Sequence, residues 1–302
     1  MSDFRIISLF PSSSDILFDL NLEKHLVAVS HECLDKKYYK DLPKITSSLI
    51  NIDVSQSEID AQVRYKLKKN EPIYKLDINL INKLNPTHIL TQDICDVCAV
   101  SSNTIEVTLR NTKCELSNDV QIISLNGKTF RAICNDVLLV GKTFDKKNEV
   151  EEMVSLATKK WNSLKKSKNY KKLLLLEWTS PPFSPGHWIP EQIELAGFEC
   201  LFSSPGDVSK TLTWEEIKNK DPDYIGVICC GYDLNENKKF AKSLYKLSFL
   251  QKVSAIKTEN VYYFDSKTFF SKPSLKIVEG AELICNIIED KNNKFRCSRP
   301  KC

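Results

Sequence analysis

Ile78-Asn79-Leu80-Ile81-Asn82-Lys83-Leu84-Asn85-Pro86-Thr87-His88-Ile89-Leu90-Thr91 reads as a helix, a stop and a buried strand. The apolar residues of the first seven recur at helical spacing, Asn85-Pro86 ends the helix, and a short apolar run follows. Directly after it, Gln92-Asp93-Ile94-Cys95-Asp96-Val97-Cys98 places two thiols three positions apart on a loop. In an open α/β sheet, ligands bind outside the carboxyl ends of the strands. Three other unusual clusters also follow apolar runs: His31-Glu32-Cys33, Gly186-His187-Trp188 and Cys229-Cys230-Gly231.

Outward from this stretch the chain alternates between strand and helix patterns. Arg5 to Phe10 is strand-like, Pro11-Ser12-Ser13-Ser14-Asp15 supplies turn and N-cap chemistry for a helix through Leu20, and Leu26 to Val29 is a second strand. A polar loop with Pro43 precedes a helix from about Ser57 to Lys69 and a short strand at Ile73–Leu76. Gln121–Leu125 is another strand, followed by a helix from Thr129 to Gly141. From about Lys146 to Asn169 one long helix is expected, with Val150, Met153, Val154, Ala157, Trp161 and Leu164 at spacings of three and four. Strands at Lys172–Trp178, Tyr224–Ile228 and Val261–Phe264 then alternate with helices at 189–196, 214–220 and 273–289. Such alternation predicts an α/β fold with mostly parallel sheets. The expected division is a first lobe over 1–143, a connecting helix over 144–169, and a second lobe over 170–302 with a loose charged tail from Asp290.

Composition excludes several classes of function. With 43 Lys+Arg against 39 Asp+Glu, the net charge is only +4, and the basic residues are not gathered with aromatics, so nucleic acid is not implied. No apolar run approaches the roughly 20 residues of a membrane helix, so no membrane insertion is expected. The amino terminus runs straight into a strand without a basic, apolar and small-residue leader, and the eleven cysteines form no regular framework. Both readings favour a reducing cytoplasm. No nucleophile elbow, phosphate loop or metal-hydrolase helix motif is present, so no catalytic residue is assigned and an enzyme is not expected.

Cys95 and Cys98 have zinc-ligand spacing, but no second Cys-x-x-Cys or His-x3-His accompanies them, and free thiols are often simply buried. Asp93 and Asp96 oppose thiolate formation unless a bound cation reverses the local charge. His31 and His187 are candidate ligands from other strand ends, with Cys33 beside His31; a hydrogen-bonded loop histidine is the plainer alternative for each. At most one of Cys229 and Cys230 can face a given site, because neighbours on an extended strand point oppositely. Thiolate with imidazole suits zinc, cobalt or iron, and metal binding to such a set releases protons and weakens as pH falls. Phe183, Trp188, Trp214, Phe269 and Phe270 fall on loops or helix starts, where flat rings suit a macrocycle or else pack in the core, and Gly186 permits close approach of a ligand to backbone.

Ser8 to Leu17, Val27 to Ser30, Asn85 to Leu90, Ser180 to Gly186, Trp214, Asp265 to Phe270 and Pro273 to Ile288 together resemble, in that order, the cobalamin-type ABC transporter substrate-binding proteins. These are two-lobed, helical-backbone binding proteins for corrinoids, siderophores, haem and metals. The resemblance implies two α/β lobes joined by one long rigid helix, with ligand held in the cleft between them. It implies Pro11, Ser12 and Asp265 as further ligand-binding positions. The His-Glu-Cys, Cys-x-x-Cys and Gly-His-Trp clusters resemble a cytoplasmic-looking, cobalamin-binding-like subgroup. The ligand expected is a corrinoid or related metal chelate, with His31, Cys33, Cys95, Cys98 and His187 converging on its metal. An ABC transporter partner stays open, as do a metal-trafficking protein and a thiol-dependent enzyme.

Overall fold

A computed structural model describes residues 4–33, 37–94, 120–288 and 295–299, and the chain divides into two compact units. The first unit comprises 1–127 and 132–152, the second 128–131 and 153–302. In chain order the first carries β1 (Ile6–Ser8), α1 (Pro11–Asp19), β2 (Leu26–Val29), α2 (Lys37–Lys40), β3 (Thr46–Ser48), α3 (Gln56–Lys68), β4 (Tyr74–Leu76), α4 (Ile78–Leu84), β5 (His88–Gln92) and β6 (Gln121–Leu125). Its main sheet is parallel throughout, in the order β2-β1-β5-β6. Parallel strands covered on both faces become continuous apolar runs, and β5 is buried at every position from His88 to Gln92. The stop between α4 and β5 is as expected: Asn85 takes the left-handed conformation at φ 42° and its N–H closes on Ile81 and Asn82.

Two helices follow, α5 (Phe130–Thr143) and α6 (Lys147–Ser163), the latter counted with the first unit to Glu152 and with the second from Met153. The expectation of a helix through Asn169 overshoots its end. Beyond Leu164 the backbone makes tertiary bonds instead, Lys166 N–H to Leu195 O at 2.9 Å and Asn169 N–H to Gly197 O at 2.9 Å.

The second unit runs β7 (Lys172–Leu176), β8 (Trp178–Thr179), β9 (Pro182–Phe183), α7 (Ile189–Leu195), β10 (Glu199–Cys200), α8 (Trp214–Lys220), β11 (Tyr224–Val227), α9 (Leu234–Leu244), α10 (Ser254–Lys257), β12 (Val261–Tyr263), α11 (Ser266–Phe269) and α12 (Ile277–Ile288). Its sheet is again parallel, in the order β10-β7-β11-β12. Leu173 to Leu176 of β7 are all fully buried at the centre of this core. The chain is thus a two-lobed α/β protein with one parallel sheet in each lobe. In each sheet the strand order reverses at the first strand, which places a switch point between β1 and β5 in one lobe and between β7 and β11 in the other.

Three local features depart from the sequence reading. The polar loop after β2 contains β3, which pairs antiparallel with β4. The segment from Asp265, read as strand and loop, closes into α11. The tail expected to be loose is docked over 295–299: Arg296 bridges Tyr262, Cys297 N–H bonds Val261 O at 2.7 Å, and Tyr245 donates its hydroxyl to Cys297 O at 2.8 Å. Among the described residues no helix is long and apolar enough to cross a membrane.

Candidate functional site

At the carboxyl end of the first lobe's sheet, the turn from β1 into α1 is built from hydroxyls. Ser8 Oγ lies 2.6 Å from Ser13 Oγ and accepts from Ser14 Oγ at 2.7 Å, and Ser14 Oγ in turn meets Cys33 Sγ at 3.2 Å. Pro11 opens α1 and is half-buried; Ser12 is 1% exposed. Cys33 is 2% exposed, and burial pushes its thiol up to about 11. A thiol in that setting stays protonated and packs as a small apolar group. His31 points elsewhere: its N–H donates to Thr46 Oγ1 at 3.0 Å, its Nδ1 lies 2.6 Å from the same oxygen, and its ring sits 5.6 Å from Tyr74. Half-burial lowers its pKa. After β5, Asp93 accepts from Ser124 Oγ at 2.5 Å and donates its N–H to Asn126 Oδ1 at 2.9 Å, tying the end of β5 to the end of β6. Cys95 and Cys98 themselves lie outside the described residues.

The second lobe's carboxyl end is organised by Glu177, the residue after β7. One carboxylate oxygen accepts from Gly186 N–H at 2.8 Å and the other from the Ser209 hydroxyl. Gly186 is required by space, since a Cβ there would meet Ser209 Oγ at 2.4 Å and its N at 2.5 Å. His187 follows in the left-handed region at φ 54°. It is held there by its N–H to Asp207 O at 2.6 Å and by Gly206 N–H to its own carbonyl at 2.8 Å. Its imidazole Nδ1 is buried without a hydrogen-bond partner among the described residues, and so is the indole Nε1 of Trp188, a residue 4% exposed. Burial lowers the His187 pKa to about 4, the Lys128 ammonium adding to it, so the ring is neutral at physiological pH.

The remaining predicted positions divide by local packing. Phe183 is half-buried, paired with Trp178 across the β8–β9 hairpin. Trp214, also half-buried, packs on the lobe's core beside Phe249, 6.2 Å away. Asp265 caps α11 by accepting from Thr268 N–H at 3.2 Å and Thr268 Oγ1 at 2.6 Å. Phe269 is half-buried, whereas Phe270 is 3% exposed and lies 5.6 Å from Phe264. Of the vicinal thiols, Cys229 is buried and Cys230 exposed, as opposite orientation requires. Among the described residues no three of His, Cys, Asp and Glu come together as a metal cage.

Sequence reasoning missed an aromatic pair at this end of the second lobe. Trp178 follows β7 and Tyr232 follows β11; their rings are 5.6 Å apart, both half-buried. The signal was available, because each lies just beyond the apolar run of a strand flanking the switch point. Glu177 and Ser209, 32 positions apart in the chain, left none.

Each lobe is a parallel-sheet α/β unit with polar and aromatic groups at the carboxyl ends of its strands, the edge at which such sheets hold ligands. Residues 6–268 match the family model described as periplasmic binding protein, and the chain belongs to that family. Among solved structures the fold is similar to a possible iron-binding, periplasmic solute-binding protein from Staphylococcus epidermidis, at 17% identity and a TM-score of 0.68 over 95% of this chain and 99% of that one. It is similar also to the periplasmic heme-binding protein HutB of Vibrio cholerae, at 18% identity and a TM-score of 0.68 over 95% and 99%. The periplasmic vitamin B12-binding protein BtuF of Vibrio cholerae matches at 15% identity and a TM-score of 0.66 over 95% and 98%. A search of curated protein sequences gives no match.

Proposed function

We propose that the chain binds a corrinoid or related metal chelate, with His187 as a ligand to its metal. The observation that carries this reading is the buried Nδ1 of His187, on the loop between β9 and α7, which has no hydrogen-bond partner among the described residues. A neutral imidazole with a free ring nitrogen is a ligand for cobalt, iron or zinc and has little affinity for magnesium or calcium. The Trp178–Tyr232 pair supplies flat apolar area of the kind a macrocycle face covers. Membership of the periplasmic binding protein family, and likeness in fold to a haem-binding and a vitamin B12-binding protein, support the same class of cargo.

The test is titration of purified protein with hydroxocobalamin, cobinamide and haem, followed by visible absorption and parallel metal analysis. A bound chelate shifts the spectrum, and His187→Asn removes the shift while the protein stays folded. Zinc or iron without chelate absorption would favour a bare-ion protein instead. The thiol loop is tested separately: Cys95→Ser with Cys98→Ser is expected to abolish metal or chelate binding with the fold intact, and unchanged affinity would show those thiols to be structural.

A further inference from the structure

Strand β12 closes one side of the second lobe's sheet, paired with β11 and with its other edge beyond the sheet. An edge of this kind is a template for another strand, and proteins blunt it with charge, proline or a bulge, or cover it. The opposite edge, β10, is two residues long and opens on Glu199. By contrast Val261-Tyr262-Tyr263 of β12 carries no charge and no proline, and it runs in unbroken register against β11.

What protects β12 is a cover. Residues 295–299 lie along its outer edge in the antiparallel sense, Arg296 bridging Tyr262 and Cys297 N–H donating to Val261 O at 2.7 Å. Cys297 is 2% exposed and packs in the core cluster that holds Val261, Tyr263 and Tyr245, and the Tyr245 hydroxyl donates to its carbonyl. Arg296 clamps the segment: Nε donates to Glu259 O at 2.9 Å, and Nη2 to Thr258 O at 2.9 Å and Asn260 Oδ1 at 3.0 Å. Two of these acceptors are carbonyls just past the end of α10, where a helix leaves such groups for basic side chains to take up. Arg299 adds a bond from Nη2 to Ile256 O at 3.3 Å and lies 5.8 Å over the Tyr245 ring.

We infer that the outer edge of β12 is a docking edge for β12 of a second copy of this chain, closed in the single chain by residues 295–299. The sense of pairing fits, because two copies related by a two-fold axis across this edge set their β12 strands antiparallel, the sense the segment already takes. Displacing Cys297 also uncovers apolar surface at Val261 and Tyr263, and its burial favours association. The inference stands apart from the identity of the cargo.

The test uses the full chain. Iodoacetamide labelling of Cys297, read by peptide mass spectrometry, reports release of the segment, and amide exchange in β11 reports global unfolding. Arg296→Ala is expected to raise Cys297 labelling at least about tenfold, the loss of hydrogen bonds from a charged group, with β11 exchange unchanged. Cys297→Asp places a charge in the core cluster and expels the segment. Light scattering after gel filtration should show wild type as a monomer and this variant as a dimer, returned to monomer by excess of a peptide with the sequence of residues 294–300. If β11 exchange accelerates in Cys297→Asp, Arg296→Ala with Arg299→Ala carries the same measurement. A monomer in a variant with native β11 exchange, a dimer that the peptide leaves intact, or unchanged Cys297 labelling in Arg296→Ala would each overturn the proposal.

Discussion

His187 makes the stability of the second lobe depend on pH in a calculable way. Its pKa is lowered from 6.5 to about 4 by burial, with Lys128 contributing, so between these values the unfolded chain holds a proton that the folded chain does not. Stability from this residue is therefore complete above about pH 6.5 and is lost progressively as the pH falls toward about 4, below which both states are protonated. At about 1.4 kcal/mol per pH unit, that interval is worth about 3 kcal/mol, a large part of the 5–15 kcal/mol typical of a domain. The assay is urea unfolding from pH 8 to pH 4 for wild type and His187→Asn. Asparagine tolerates the left-handed backbone and does not titrate. Burial also lowers His31 and His88 and raises Asp136 and Glu191, but these titrate alike in both proteins and cancel in the difference. The advantage of wild type over variant should shrink by about 2–3 kcal/mol on going from pH 7 to pH 4. A difference that stays constant with pH would show that the imidazole is not held neutral by its surroundings. For a ligand at Nδ1, the proton competes only as the pH nears 4, so any weakening of binding between pH 8 and 5 must come from other groups, the thiols first.

Gly226→Ala tests the centre of the second sheet. A Cβ there would lie 2.3 Å from Leu175 Cδ2 and 3.3 Å from Phe264 Cε2, both residues fully buried, so overpacking of about 1–3 kcal/mol outweighs the roughly 0.5–1 kcal/mol gained by removing a strand glycine, and the urea midpoint should fall. Thiol accessibility gives another check by alkylation and peptide mass spectrometry at pH 8. Cys230 should react in the native protein, whereas Cys33, pushed up to about 11, and Cys200, pushed up to about 12, should react only on unfolding. Native labelling of Cys33 at the rate of Cys230 would refute its place in the Ser14 network.

The sheets were legible because parallel strands leave a strong trace. Ile6-Ile7, Ile89-Leu90 and Leu173 to Leu176 are continuous apolar runs bounded by turn residues, and each is a buried strand. Elements on the surface were less legible. The sequence reading passes over α9, whose Lys238, Lys239 and Lys242 mask a short apolar stripe. Yet its start carries a capping box, Asp233 accepting from Asn235 and Glu236 at 2.8 and 2.9 Å, and Asp-x-x-Glu before an apolar residue was readable. The early end of α6 was not readable, because the carbonyls of Leu195 and Gly197 that take up the following N–H groups lie some 30 residues away in sequence.

Sequence spacing places a residue at a strand end but does not say which way its side chain turns, and this is where the reading of the site divides. Trp188 and Phe270 are buried, Phe270 beside Phe264, while Trp178, placed one residue beyond Glu177, keeps a half-exposed ring beside Tyr232. His31 and Cys33 are two positions apart, yet one meets Thr46 and the other Ser14, so a His-x-Cys spacing does not become a shared site here. Gly186-His187-Trp188 behaves differently because its geometry is fixed from outside: Glu177 and Ser209 force the glycine, and Asp207 and Gly206 hold the histidine at a backbone conformation that few residues adopt. Packing alone gives no reason to leave His187 Nδ1 and Trp188 Nε1 buried without partners among the described residues. A ligand supplying both partners is what the proposed function calls for, and it makes His187 the residue at which binding experiments should begin.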